Sequence, residues 1–154
     1  CGVYGYSYVT ATDEAANLSF NGYTGTFSGK LGGFEGITFA GDTTATLTTA
    51  AADVSNTAWK FDVAARDTAL ANTAILDWSA ADFAGDTITL TLGTGAATEW
   101  SLIDAASTTV YNTFNVTDLQ DDLVLDQAIS GTGTAYDGWG FTLENDVLKF
   151  KNLA

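Results

Sequence analysis

Nineteen carboxylates, five basic side chains and no histidine bound the chemistry open to this chain of 154 residues. Without histidine, Ser-His-Asp and Cys-His relays are excluded, as are histidine metal sites. Cys1 is the one cysteine, so it forms no internal disulfide and builds no zinc site alone. Carboxylates remain. Paired acids can cleave glycosides when one holds a proton and the other faces the sugar. Asp13-Glu14 and Asp121-Asp122 are adjacent pairs, the second beside Gln120. Among so many acids adjacency arises without function, and both pairs read as turns. No catalytic residue is assigned. Asp42, Asp86 and the run Asp118 to Asp122 place hard oxygen ligands at corners, but the full spacing of a calcium loop is missing. No metal ligand and no cofactor is assigned; calcium is the one ion these corners admit. Gly93-x-Gly95 and Gly131-x-Gly133 lack the following helix and lysine of a phosphate loop and read as ordinary loops.

Aromatic side chains are the other chemical resource. Trp59, Trp78, Trp100 and Trp139, with the tyrosines, could form a sugar-stacking platform. The plainer reading puts Trp at strand starts, filling core or covering the end of a stack. Trp59, Trp100, Trp139, Phe141, Leu143, Leu148 and Phe150 are the expected structural and capping residues. Asn17-Leu18-Ser19 and Asn115-Val116-Thr117 match glycosylation sequons, a motif short enough to arise by chance.

Composition limits the partners. The formal charge of −14 repels phosphate backbones and anionic lipid, so neither nucleic-acid binding nor membrane insertion by this segment is expected. Apolar residues make up 46 %, enough for a core, while charged residues are only 16 %. Solubility must come from Thr, Ser, Asn, Asp and Gly, and threonine suits the solvent face of a strand. With 16 glycines and no proline, turns must rely on Gly, Asn and Asp. No apolar run approaches the ~18 residues of a membrane helix. The chain has no Met and shows no signal peptide; it reads as a mature segment or a fragment of something longer. Cys1 is expected to be a truncation boundary, with a lipoprotein acylation site as the alternative.

The elements that must position these residues are short strands. Tyr4, Tyr6 and Tyr8 alternate at strand period, and Asp13 to Ala16 reads as a polar turn. Leu18-Ser19-Phe20 leads into Asn21-Gly22, which favours a type I′ turn. Phe-Ala-Gly-Asp-Thr occurs at 39–43 and again at 83–87, each time followed by alternating Thr and aliphatic residues, then a Trp-led strand. Gly would permit the corner and Asp would bond amides beyond it. Residues 64 to 74 read as a loop with one helical turn. Ala74 to Trp78, Thr113 to Val116 and Leu123 to Leu125 read as strands. Gly131 to Thr134 reads as a flexible loop. Trp139 to Lys151 reads as strand, polar turn, strand. A dozen short strands with Gly/Asn/Asp corners predict an all-β fold. A rung of ~20–25 residues inside a longer repeat predicts a β-solenoid, in which no rung buries its apolar face alone.

Trp100-Ser101-Leu102-Ile103-Asp104-Ala105-Ala106, then Tyr136-Asp137-Gly138-Trp139-Gly140-Phe141-Thr142-Leu143 and Val147-Leu148-Lys149-Phe150, resemble the C-terminal stem of bacterial autotransporter passengers. The resemblance covers residues 85–151 by pattern and 31–80 by general style. It implies a right-handed parallel β-helix whose C-terminal, autochaperone-like region caps the stack and helps the passenger fold after secretion. An outer-membrane barrel follows in that family; here the chain stops at Ala154, so the expectation is either a barrel beyond a truncation or a related surface protein without one.

The expected fold is therefore a right-handed parallel β-helix with a C-terminal capping β-hairpin, the alternative being an antiparallel β-sandwich. One segment spans 1–154, with entry rungs at 1–35, repeat rungs at 36–135 and the capping hairpin at 136–154. The expected function is a structural and adhesive segment of a cell-surface or secreted bacterial protein, without catalysis. Its partners would be neighbouring rungs or domains of the same longer chain, and host or biofilm surface glycans or proteins. A carbohydrate-binding sandwich module is the alternative. A polysaccharide-active β-helix enzyme is the second, which would have to draw its cations from Lys30, Lys60, Arg66, Lys149 and Lys151 alone.

Overall fold

A computed structural model describes residues 9–10, 17–32, 34–50, 54, 58–79, 83, 86–94, 97–104 and 113–154. The strands are β1 (Val9–Thr10), β2 (Asn17–Asn21), β3 (Thr24–Phe27), β4 (Leu31–Gly32), β5 (Gly36–Ala40), β6 (Thr44–Leu47), β7 (Ala58–Asp62), β8 (Leu76–Asp77), β9 (Thr87–Thr91), β10 (Glu99–Asp104), β11 (Thr113–Val116), β12 (Gln120–Leu123), β13 (Trp139–Glu144) and β14 (Val147–Asn152). One short 3-10 turn, Thr68–Leu70, is the helical turn expected within 64–74. Asp67 caps it, its carboxylate accepting the Ala69 amide at 2.9 Å. Among the described residues, no helix is long and apolar enough to cross a membrane.

The chain is all-β, in two mixed six-stranded sheets, mostly parallel, with no closed barrel among the described residues. The first sheet runs β12-β11-β9-β7-β5-β2 and the second β13-β14-β10-β8-β6-β3. From β5 to β11 successive strands alternate between the two sheets, as do β2 and β3 before them. Parallel register in the first sheet steps from Leu18 to Ile37 to Trp59 to Ile88 to Phe114. In the second it steps from Gly25 to Ala45 to Leu76 to Ile103. A smaller parallel pairing, Val9 with Leu31 and Leu31 with Val54, flanks them. Among the described residues antiparallel pairs occur only at the C-terminal end: β11 with β12, β10 with β14, and β14 with β13. An antiparallel sandwich is thereby corrected, since eight of the strand pairings are parallel and β2 to β11 contain no antiparallel pair among the described residues.

Alternation of side chains explains the core. In β5, β7 and β9 every second residue turns inward: Ile37 and Phe39, Trp59 and Phe61, Ile88 and Leu90, all buried. Thr38, Lys60 and Thr89 take the opposite face. In-register parallel pairing then stacks like on like. Phe20, Phe39 and Phe61 form a column with ring centroids 5.3 Å apart, close to the spacing of neighbouring strands. Burying each ring contributes roughly 1.5–3 kcal/mol.

Polar side chains tie successive layers at the corners. Thr43, fully buried, has its hydroxyl 2.6 Å from Ala40 O and 2.9 Å from Phe20 O, and it accepts the Tyr23 amide at 3.2 Å. Thr49 donates to Gly29 O at 2.6 Å. Arg66 donates to Thr43 O at 2.6 Å, Thr73 O at 3.1 Å and Gly41 O at 3.3 Å. These bonds give buried carbonyls at chain corners the partners they require.

Several local expectations are corrected. Asn21-Gly22 forms no type I′ hairpin turn: only Gly22 has positive φ, at 67°, and the strands it joins lie in different sheets. The two Phe-Ala-Gly-Asp-Thr copies are not equivalent. Phe39 lies on β5 in the first sheet, before a strand of the second, whereas Phe83 precedes β9 of the first sheet. The Trp-led strands that follow them differ as well: Trp59 is in the first sheet and Trp100 in the second. Asp121-Asp122 lies on β12, not in a turn, and Leu123 ends that strand where it was expected to begin one. The 74–78 strand shrinks to Leu76–Asp77. The readings at Cys1, at Tyr4 to Tyr8, at Asp13 to Ala16 and at Gly95 lie outside the described residues.

Candidate functional site at the C-terminal hairpin

The sequence of β13 and β14 dictates a hairpin. Two alternating strands flank Asn145 and Asp146, both with positive φ (51° and 64°), as a type I′ turn demands. Pairing is in register from Trp139 with Asn152 to Glu144 with Val147. On its other side β14 lies antiparallel to β10, Trp100 facing Phe150, with a register shift between Ser101 and Ile103. The hairpin therefore lies along the last parallel strand of the second sheet.

Its inner side is aromatic. Phe141 stacks on Phe114 of the first sheet, centroids 4.5 Å apart, and lies 5.1 Å from Phe150. Tyr136 meets Trp139 edge-on at 5.2 Å, and its hydroxyl donates to Gly93 O at 3.2 Å. Phe141, Leu148 and Phe150 are fully buried; Trp139 and Leu143 are half-buried against the core. Trp100 is buried on β10 beside the hairpin, and Trp59 is buried in the first sheet with Trp78 next to it, centroids 5.5 Å apart. Among the described residues, three of the four tryptophans are thus unavailable to a surface ligand. Tyr136 and Trp139, at an interplanar angle of 83°, do not form a coplanar platform.

Its outer side carries two of the five basic residues. Lys149 pairs with Glu99 at 2.8 Å and Lys151 with Glu144 at 2.7 Å. The hydrogen bond from Lys151 holds the Glu144 carboxyl below its ordinary pKa, and Glu144 raises Lys151 in return. Thr142, Glu144, Lys151, Asn152 and Asp126 line an open groove of about 480 Å³ here. Nearby, the Asp137 carboxylate accepts the amides of Thr132 and Gly133, each at 3.0 Å, and the Thr132 hydroxyl. These bonds hold Asp137 below the usual carboxylate range, the Thr132 hydroxyl contributing most. They also tie the 131–134 loop.

The acidic corners have structural partners. Asp42 accepts the Asp67 amide at 2.8 Å, a corner 25 residues on, and Asp86 accepts the Trp59 indole N–H at 2.9 Å. Aspartate was expected to bond the amides just past its own corner; the Asp42 bond instead reaches an amide of another corner. Among the described residues, no three carboxylates or thiols gather as a metal cluster.

Residues not expected to matter complete the site. Val124–Ser130 crosses from β12 to the outer edge of β13. The Asp126 amide donates to Phe141 O and the Ile129 amide to Trp139 O, both at 2.7 Å. Ile129 is fully buried, and a Cβ on Gly140 would overlap the Gln127 carbonyl. The signal in the sequence is Ile129, the one large apolar residue from 126 to 134, with no indication of what it meets. No protein-family model, no curated protein and no solved structure matches the chain.

Proposed function

We propose that the chain is a right-handed parallel β-helix segment of a bacterial cell-surface, autotransporter-like protein. Its work is structural and adhesive: it extends a surface-exposed stem and closes the C-terminal end. The switch of both sheets from parallel to antiparallel pairing at their C-terminal strands carries this reading. Parallel strands alternating between two sheets build a stack that any further strand can extend. A reversed strand at its end stops that growth and covers the exposed core. Trp139, Phe141, Leu143, Leu148 and Phe150 serve as the closing layer, resting on Trp100 and Phe114. Neighbouring rungs or domains of a longer chain are the partners, and the −14 charge keeps an edge-rich surface soluble.

Deleting residues 137–154 tests the closing role. Expected is an exposed β edge, with loss of stability and concentration-dependent aggregation by light scattering. A truncated protein that stays monomeric and equally stable would sink it.

A further inference from the structure

Among the described residues β13 ends its sheet, with β14 on one side and no further strand on the other. Such an edge offers unpaired amides and carbonyls to any extended chain. Here two carbonyls, those of Trp139 and Phe141, are taken by the Ile129 and Asp126 amides. The strap Val124–Ser130 thus covers the edge, fastened by these bonds, by Leu125 packed against the core and by the Ser130 amide donating to Gln120 Oε1. Ile129 is buried, and its carbonyl accepts the Gly138 amide at 2.7 Å. Asp126, Gln127, Ala128 and Ser130 are exposed, and Val124 is 57 % exposed. Asp126 holds a left-handed backbone at φ 63°. Beyond the strap, Gly131 and Gly133 hold positive φ, 73° and 69°, and the Asp137 carboxylate ties their loop through the amides of Thr132 and Gly133.

We infer that the strap guards the β13 edge, and that the surface beneath it fits a second copy of this chain, joined β13 to β13, antiparallel about Phe141. The inference rests on reading this end as a cap. Trp139 and Phe141 turn their carbonyls to the strap, so backbone groups of alternate residues from Trp139 to Leu143 point outward, the Trp139 amide being held by Tyr136 O at 3.0 Å. Centring on Phe141 sets Trp139 opposite Leu143, Gly140 opposite Thr142, and Gly138 opposite Glu144. Apolar residues meet, and the carboxylate faces a glycine, so no like charges stand directly opposed. The contact is isologous and closes as a two-fold dimer.

Asp126→Pro in the full chain tests it. Proline has no amide to donate and cannot adopt a positive φ. Expected is at least tenfold faster hydrogen exchange at the Ile129 amide, with the β10–β14 ladder still protected. Light scattering on eluting protein should show a concentration-dependent shift from monomer to dimer. Adding Leu143→Pro, which removes an outward amide, should restore the monomer. Faster Ile129 exchange with a monomer at every concentration overturns the proposal; so does a dimer that survives the second substitution. If Asp126→Pro does not fold, Ile129→Ala loosens the same strap and is read the same way. A strap that opens without pairing leaves the 137–154 deletion result untouched, so the two readings fail separately.

Discussion

Arg66 shows what a single side chain does in this stack. It is 5 % exposed, and its guanidinium reaches three backbone carbonyls from two corners. Burial pulls its pKa below the ordinary arginine value, against the pull of Asp42, which favours the charge. A planar fork can serve several carbonyls at once; a lysine ammonium is a compact point charge. Arg66→Met leaves those carbonyls without their donor and is expected to cost about 2–3 kcal/mol in urea unfolding. Arg66→Lys should recover less than half of that loss. Glu144 and Lys151 set a pH window instead. The carboxyl is lowered, so its contribution is full above the unfolded carboxylate pKa and fades as pH falls through the folded one. The ammonium is raised, so its contribution is full below the unfolded lysine pKa and fades as pH rises through the folded one. Amide protection in β13 and β14 should therefore fall at both acid and alkaline extremes. In Glu144→Gln both limbs should flatten; an unchanged pH profile would show that the pair contributes nothing to the hairpin.

At the scale of elements, close approach and turn chemistry decide what can change. Gly140 lets the strap lie against β13, and any side chain there would overlap the Gln127 carbonyl, which is backbone and cannot turn away. Gly140→Ala should destabilise by roughly 1–3 kcal/mol, the usual cost of overpacking, with the loss confined to strap and hairpin in hydrogen exchange. Asp146 pays for a left-handed backbone that glycine adopts freely, so Asp146→Gly should raise the melting temperature, by up to about 1 kcal/mol of stability. The hairpin was legible because its signals are local: alternation on both sides of a pair of residues that tolerate positive φ. The inward columns were legible for the same reason. Asn21-Gly22 misled because turn chemistry cannot tell a hairpin from a corner between two sheets. The 44-residue echo misled because Phe39 and Phe83 fill core next to different strands, and the spacing between layers varies with loop length. β8 was hard to bound, since two paired residues leave no period to read. The strap was invisible because its hydrogen bonds join backbone to backbone, which no side-chain pattern records.

For the whole molecule, charge and edges act against each other. A net charge of −14 makes every encounter between copies repulsive, while sheet ends invite pairing. The C-terminal end adds local barriers: Asp118, Asp122 and Asp126 all hold left-handed backbones that bend the chain away from regular pairing. Asp121 and Asp122 also expose carboxylates along β12, the last strand of the first sheet. Removing 137–154 takes away the last two strands of the second sheet but leaves this acidic strand and most of the repulsion. Association of the truncated chain should then depend on salt. At about 0.01 M ionic strength the Debye length is about 30 Å, and charges across an encounter still repel. At 1 M it shrinks to about 3 Å, and only directly opposed charges matter. Light scattering across that range should show aggregation of the truncated chain accelerating with salt, while the full chain stays monomeric throughout. Faster aggregation at low salt would mean that ion pairs, not open strand edges, drive the contact.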